Sequence, residues 1–527
     1  MTTRFQPEVL DYEKANGEVE HREGARFADS SSLAAATTRD SEKAGSSRYA
    51  SSTIGLEHQE ASKKVERKLV RKLDAVILPM AVLLYLSAYL DRGNMGSARL
   101  QGLEKGVLDG DDTKYSIALS CFFITYILLS IPGTLLAKQF NPSRTIAIGA
   151  LIWSIGATCQ AAAFNPAGLY VTRLFVGVGE AMFGQAMAFH LSLWYKKTEL
   201  AKRVGLFISA GALAGAFSGL IAYGVQHINS KIPQYKILFL IEGLPSLLLA
   251  IIVFFFLPSR PDTSRFLTEE ERTIACTRLN SENSLEANNG IVWKDVRYTL
   301  LNWRTWVVAI SYSAMNLGLG SVSGFLPTII KGLGYTNADA QLFSVPPYVV
   351  ALVFMLLITT YSDRFQTRGI PIMTVFAIGI VGWSILLGVK PHHATHAALH
   401  ARYFGVICVV VAGYSAIPLI MSWQAANVAT ESQKAAVLGS LNSIGQCLSV
   451  LAAFSFPSSQ GPRYIKGVSL NIAFQSLGLL ITLAMTTYYR LENRRRDKRD
   501  GGRPLKGLPI EGLHEQYDLA PSFRYTI

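Results

Sequence analysis

Apolar residues in this chain come in long runs, and short polar segments separate them. Twelve such runs are legible, at about 73–100, 115–137, 145–164, 169–194, 204–225, 238–257, 305–330, 342–361, 371–389, 402–428, 435–456 and 469–488. Each is close to the ~20 residues that a helix needs to cross a bilayer. Backbone polar groups in lipid must be satisfied within the segment, so the runs predict helices. The expected fold class is an all-α membrane protein with twelve transmembrane helices in two six-helix halves. The long polar stretch 258–304 falls between the sixth and seventh runs, and it divides the chain into a 73–257 bundle and a 305–488 bundle. Within it, Thr268 and Glu271 have capping-box spacing, which predicts a short surface helix.

The ends differ from the middle. Residues 1–72 begin polar, rich in Ser, Ala, Glu and Lys, and are expected to be a disordered tail that ends in a basic flank, Lys63 to Lys72. The first residues lack the apolar core of a cleaved signal peptide, so the first span is expected to act as a signal anchor. Residues 489–527 form a second polar tail, and its Arg490 to Arg496 stretch reads as a basic stop beside acidic lipid.

Composition sharpens this picture. Half of the 527 residues are apolar and only 17% are charged. The formal charge of +13 could point to nucleic acid, but Lys and Arg flank the runs instead of forming a face. They crowd the segments on the side of the N-terminus, which predicts that both termini are cytoplasmic. The five cysteines are scattered, without metal or disulfide spacing. No nucleotide loop or nucleophile constellation stands out, so no enzyme reading survives.

Charges inside the spans carry the chemistry. Asp91 and Arg92 lie side by side in the first run, and Arg173 and Glu180 lie in the fourth. A charge at bilayer depth is costly, so it is expected to be buried, paired and functional. Arg173 and Glu180 are two helical turns apart, on one face and about 10 Å apart along the axis, too far to pair directly. Asp91 is the natural partner for Arg173. Neighbouring positions on a helix point about 100° apart, so Arg92 would then face a cavity as an uncompensated cation, its planar fork suited to a carboxylate. Glu180, near the middle of its span, is the expected proton carrier.

The second half offers neutral groups at depth: Tyr312, Asn316, Trp423, Gln424, Asn442 and Ser443. Singly they read as packing, and together they could orient a substrate. Gly211, Gly215 and Gly219 share one face of the fifth run and predict a close helix approach, with a hinge or gate as the alternative. His392, His393, His396 and His400 read as exposed loop histidines ahead of a metal site. His190 receives no role.

Four stretches carry a family resemblance: Tyr89-Leu-Asp-Arg-Gly-Asn94, Phe239-Leu-Ile-Glu-Gly243, Phe266-Leu-Thr-Glu-Glu-Glu-Arg272, and Phe325-Leu-Pro-Thr-Ile-Ile-Lys-Gly-Leu-Gly-Tyr335 with Val345-Pro-Pro-Tyr348. With Pro521-Ser-Phe-Arg-Tyr-Thr-Ile527, they make the chain resemble the anion:cation symporter family of the major facilitator superfamily, in its fungal allantoate/nicotinate/pantothenate permease branch. The resemblance covers about residues 63–527. It implies proton coupling through Asp91, Glu180 and Arg173, and substrate binding at Arg92, Tyr89, Tyr126, Trp423 and Asn442, beside Tyr312 and Asn316. Asp363, Arg364 and Arg368 match the superfamily's inner gate in the second half. The usual Asp of the first-half gate is missing from Ala137-Lys138-Gln139-Phe140, Gln185 stands where the branch tends to have Pro, and the seventh span lacks a second Arg.

The expectation is a plasma-membrane proton symporter that imports a small organic anion, with one free cation suiting a monocarboxylate such as nicotinate. The proton is the coupling ion and no other cofactor is expected. The partners are the anion and the lipid bilayer, with no nucleic acid, and the protein is expected to be monomeric. A proton antiporter exporting a toxin or metabolite is the alternative, ranked lower because Gly215 is followed by Ala216 where exporters commonly show Gly-Pro. A nutrient sensor that does not transport is the third reading.

Overall fold

The structure is a computed structural model that describes residues 33–195, 197–280, 292–389, 396–502, 516–520 and 523–527. Its contacts divide the chain into a unit Met1–Lys68 and a unit Leu69–Ile527. In the first unit, helix is present from Leu33 onward. Part of the segment expected to be a disordered tail is therefore helical. No Pro interrupts the segment between Leu33 and Pro79, and from Glu57 onward it is rich in Glu, Lys and Arg, good helix formers. Residues 1–32 lie outside the described residues.

Among the described residues, twelve helices are long and apolar enough to cross a membrane. In chain order they are Lys64–Val107, Asp112–Gly133, Pro142–Ala162, Pro166–Ser192, Arg203–Gln226, Gln234–Phe256, Trp303–Lys331, Asn337–Phe365, Gly369–Gly388, His396–Ala426, Ser432–Ala453 and Ile465–Arg499, here spans one to twelve. All twelve predicted runs are found. The halves meet where span two packs on span eleven and span five packs on span eight. The segment between spans six and seven defines one end of the bundle, the linker end. Its helix Glu269–Asn280 starts at the predicted capping box: Glu271 N–H donates to Thr268 Oγ1 at 3.3 Å, and Thr268 N–H donates to Glu271 Oε2 at 3.0 Å. The Lys72 ammonium, 2.6 Å away, holds the Glu271 carboxyl below its usual range.

Two spans are irregular where the sequence predicted plain helix. Span one ends in a wide π turn, Arg99–Leu103, broken at Gly102 with φ 96°. Span four is interrupted between Pro166–Ala181 and Gly184–Ser192. At the break Met182 N–H donates to Gly179 O and Phe183 N–H to Glu180 O, a tightened last turn. Irregular backbone at membrane depth is tolerated where it lines a cavity, and Glu180 is in that turn.

The end opposite the linker is sealed by contacts between the halves. Arg99 Nη2 donates to Asp112 and, at 2.8 Å, to Ser458 Oγ of the second half. Ser458 N–H donates to Asp112 Oδ2 at 2.6 Å. Tyr115 Oη donates to Gly324 O at 3.0 Å, and Ser97 Oγ to Gln341 Oε1 at 3.0 Å. The glycine face of span five completes the seal: a Cβ on Gly215 would lie 2.4 Å from the Tyr348 ring. Gly215→Ala is therefore expected to disfavour this closed arrangement by about 1–3 kcal/mol. Stronger labelling of a cysteine placed at Ser344, by a membrane-impermeant reagent, is the readout.

In the predicted basic stop, Arg490, Arg494 and Arg495 are exposed. Span twelve runs on to Arg499, and Arg496 is buried. Residues 523–527 fold back under the second half. Trp423 Nε1 donates to Thr526 O at 2.9 Å, Asn493 Nδ2 donates to Tyr525 O at 2.8 Å, and Arg368 N–H donates to Ile527 O at 2.6 Å. The Tyr525 ring stacks on Tyr489 with centroids 4.6 Å apart.

Candidate functional site

One cavity lies between the halves, with about 660 Å³ of non-atom space that includes open solvent. Tyr89, Arg92, Tyr126 and Glu180 line it from the first half, and Tyr312, Asn316, Asn442 and Gln446 from the second. It reaches from the Arg92 level toward the linker end, as far as Ala188 and Val204. A second cavity of about 500 Å³ lies toward the sealed end, bounded by Ser97, Ser218, Ser344 and Tyr348 and again by Tyr89 and Arg92.

Arg92 is not the uncompensated cation that the sequence predicted. Its Nε donates to Glu180 Oε2 at 3.1 Å, and its Nη2 reaches the same oxygen. Oε1 of Glu180 has no partner. The side chains are 10% and 2% exposed, so the pair is buried. Three rings surround the guanidinium: Tyr89 at 4.8 Å, Phe122 at 5.0 Å and Tyr126 at 5.1 Å from their centroids. Cation–π attraction of this kind is worth ~2 kcal/mol when desolvated. The physical reason for the correction is helix rotation. Arg92 does turn to the cavity, and the last turn of the broken fourth span brings Glu180 to the same level.

Asp91 is fully buried and does not form the expected ion pair with Arg173. The Arg173 Nη1 donates instead to the Asp91 backbone carbonyl at 3.3 Å, and neither carboxyl oxygen of Asp91 has a hydrogen-bond partner. Ser246 of span six and Trp153 of span three are among its neighbours. The first-span acid therefore faces spans three and six, away from the cavity.

The second-half polar groups divide. Asn442 Nδ2 donates to Tyr126 Oη at 2.9 Å, a bond across the two halves. Gln446 Nε2 donates to Asn316 Oδ1 at 3.3 Å, and Asn316 Nδ2 to Tyr312 O at 2.9 Å. Trp423 lies outside this set because its indole N–H is taken by Thr526, which corrects its expected place at the substrate. Arg368 pairs with Asp363 at 2.6 Å and donates to Ser362 Oγ at 2.9 Å. Arg364 is exposed. These three stand at the linker end of the second half.

Gln446, Tyr85 and Glu242 were missed in the sequence. Gln446 follows Asn442 by one helical turn and shares its face, and Tyr85 precedes Tyr89 in the same way, Tyr85 Oη donating to Tyr89 Oη at 3.2 Å. Glu242 is an acid in the apolar sixth span, a signal of the same kind as Asp91. Among the described residues no group of three metal-ligating side chains occurs. His392 and His393 lie outside the described residues.

Twelve spans in two halves, with a buried charge pair in the wall of a cavity between them, define a membrane transporter. The chain belongs to the Major Facilitator Superfamily, whose family profile matches residues 78–454. The MFS-type transporter efuF of Hormonema carpetanum is 31% identical over 444 residues, 84% of this chain and 89% of that one. The high-affinity nicotinic acid transporter of Saccharomyces cerevisiae is 29% identical over 467 residues, 88% of this chain and 85% of that one. Among solved structures, the proton:xylose symporter XylE matches with a TM-score of 0.62 at 14% identity, covering 79% of this chain and 96% of that one. That likeness shows the fold. The relatives are transporters, and the chain is a multi-pass membrane transporter, not an enzyme.

Proposed function

We propose that this transporter imports a small organic anion together with a proton across the plasma membrane, with the linker end and both termini in the cytoplasm. The observation that carries the proposal is the Arg92–Glu180 pair in the cavity wall. An anion bound at Arg92 competes with Glu180 for one guanidinium. A proton on Glu180 removes the competitor, so the anion and the proton enter together. On the cytoplasmic side Glu180 releases its proton, recovers Arg92 and expels the anion. Rocking of the halves about this level carries the site from one face to the other.

The cage of Tyr89, Phe122 and Tyr126 around the guanidinium favours a flat, ring-bearing monocarboxylate. The nicotinic acid carried by the yeast relative is of that kind, and nicotinate is the leading substrate. Tyr126, Asn442, Asn316 and Gln446 supply polar contacts on the opposite wall.

Uptake is expected to rise as external pH falls. Glu180→Gln, a permanent mimic of the neutral acid, is expected to keep exchange of labelled for unlabelled nicotinate in proteoliposomes while losing accumulation under an inward proton gradient. A Glu180→Gln protein that still concentrates nicotinate against a gradient would remove Glu180 from the coupling.

A further inference from the structure

The cavity toward the sealed end has a chemistry that the scheme above does not use. Arg92 borders it, and Ser97, Ser218 and Ser344 stand in its wall. The three serines are buried, and each has already committed its hydroxyl hydrogen. Ser97 Oγ donates to Gln341 Oε1 at 3.0 Å, and Gln341 Nε2 donates back to Ser97 O at 3.3 Å, which fixes the orientation of the amide. Ser344 Oγ donates to Gln341 O at 2.6 Å, and Ser218 Oγ to Glu242 Oε1 at 3.1 Å. Packing gathers the three, although spans one, five and eight supply them. Gln341 joins Ser97 to Ser344, and a Cβ on Gly219, the neighbour of Ser218, would lie 2.5 Å from Ser344 Oγ. A hydroxyl has one hydrogen and two lone pairs. With the hydrogen spent, each of these serines can only accept. Tyr348 and Tyr414 add rings to the same wall, edge to face with centroids 5.6 Å apart.

We propose that this cavity is a second subsite for the transported anion, selective for a carboxylate that carries an N–H or O–H donor at its far end. The carboxylate meets Arg92, whose Nε and Nη2 are engaged by Glu180 and whose Nη1 is outside that pair. The donor end meets the serine oxygens. Ser97 follows Arg92 by five residues on the same helix, ~7 Å along its axis at about 1.5 Å per residue. One aromatic ring between carboxylate and donor spans that interval, and the tyrosine rings flank it. A ligand without a donor strips water from the serine oxygens and gives nothing back, and an unpaired buried acceptor is costly. Among ring-bearing monocarboxylates, the subsite therefore favours an amine or hydroxyl opposite the carboxylate over a ring that offers only an acceptor nitrogen, as nicotinate does.

This rests on the reading of Arg92 as the anion's cation, so the test reads binding without transport. Three benzoates of matched shape are titrated calorimetrically into the purified full-length protein. The para-amino compound carries a donor, the para-methyl compound neither donor nor acceptor, and the para-nitro compound acceptors only. para-Aminobenzoate is expected to bind about three- to tenfold more tightly than para-methylbenzoate, the worth of one net hydrogen bond, and para-nitrobenzoate no better than the methyl compound. In the Ser97→Ala/Ser344→Ala double variant the advantage of the amine is expected to vanish while the para-methylbenzoate affinity stays, which also shows that the variant is folded. Ser344→Ala alone, a gentler change, is expected to lose part of the advantage. Equal affinities for the amine and the methyl compound in the wild type overturn the subsite, as does an amine preference that survives the double variant, a preference for the nitro compound, or no binding of any of the three. A donor preference without proton-driven nicotinate uptake keeps the subsite and discards the coupling. Proton-driven nicotinate uptake without the preference keeps the coupling and discards the subsite.

Discussion

Replacing Arg92 with glutamine is expected to cut nicotinate uptake on the order of a hundredfold or more. Breaking a buried ion pair by removing one partner costs ~3–5 kcal/mol, because the remaining charge is left alone, and each ~1.4 kcal/mol is a factor of ten. Here the loss is double. In the proposed scheme the anion loses its only cation at this level of the cavity among the described residues, and Glu180, 2% exposed, loses both hydrogen bonds to its Oε2. Arg92→Lys keeps the charge and gives up the planar fork and the ring contacts, so an intermediate loss is expected. The double variant Arg92→Gln/Glu180→Gln separates the two effects. Removing the stranded acid should recover thermal stability in detergent, while uptake stays at background. Recovery of uptake in that double variant would mean that the anion does not need the guanidinium.

Tyr525→Ala is expected to lower the thermal midpoint of the purified protein by about 5 °C or more. Truncating a buried aromatic to alanine costs ~3–5 kcal/mol, and this ring stacks on Tyr489. Its hydroxyl adds a network: it donates to Asp518 at 2.7 Å and accepts from Arg496 at 3.2 Å and from Arg304. Through these residues the segment joins the linker ends of spans seven and twelve, and Trp423 and Asn427 extend the connection to span ten. Tyr525→Phe keeps the stack and loses the hydroxyl, so a smaller fall is expected. An unchanged midpoint in Tyr525→Ala would show that the segment adds nothing to the second half. Differential scanning fluorimetry of the three proteins decides the matter.

The number and order of the spans were legible because apolar length is a local property. The contents of the site were only partly so. Spacing alone placed Arg173 and Glu180 on one face of span four. It could not decide which of Asp91 and Arg92 meets them, because adjacent positions differ only by rotation and tertiary packing sets that rotation. The break at Met182 and Phe183, which brings Glu180 to Arg92, has no Pro to announce it. Glu242 was visible as an acid in an apolar run, but its hydrogen-bond donor Ser218 comes from another span. The docking of Tyr525 and Thr526 was hidden for a different reason: the segment is too short to show a period, and only contacts far away in sequence give it a place.

Arg92 stands in the wall of the cavity on each side of it. If the proposed function holds, a single guanidinium shared by two chambers serves one guest at a time. A carboxylate analogue too bulky to pass would therefore compete with cargo arriving from the opposite face of the membrane as strictly as with cargo on its own side, and raising the cargo concentration on either side would relieve the block.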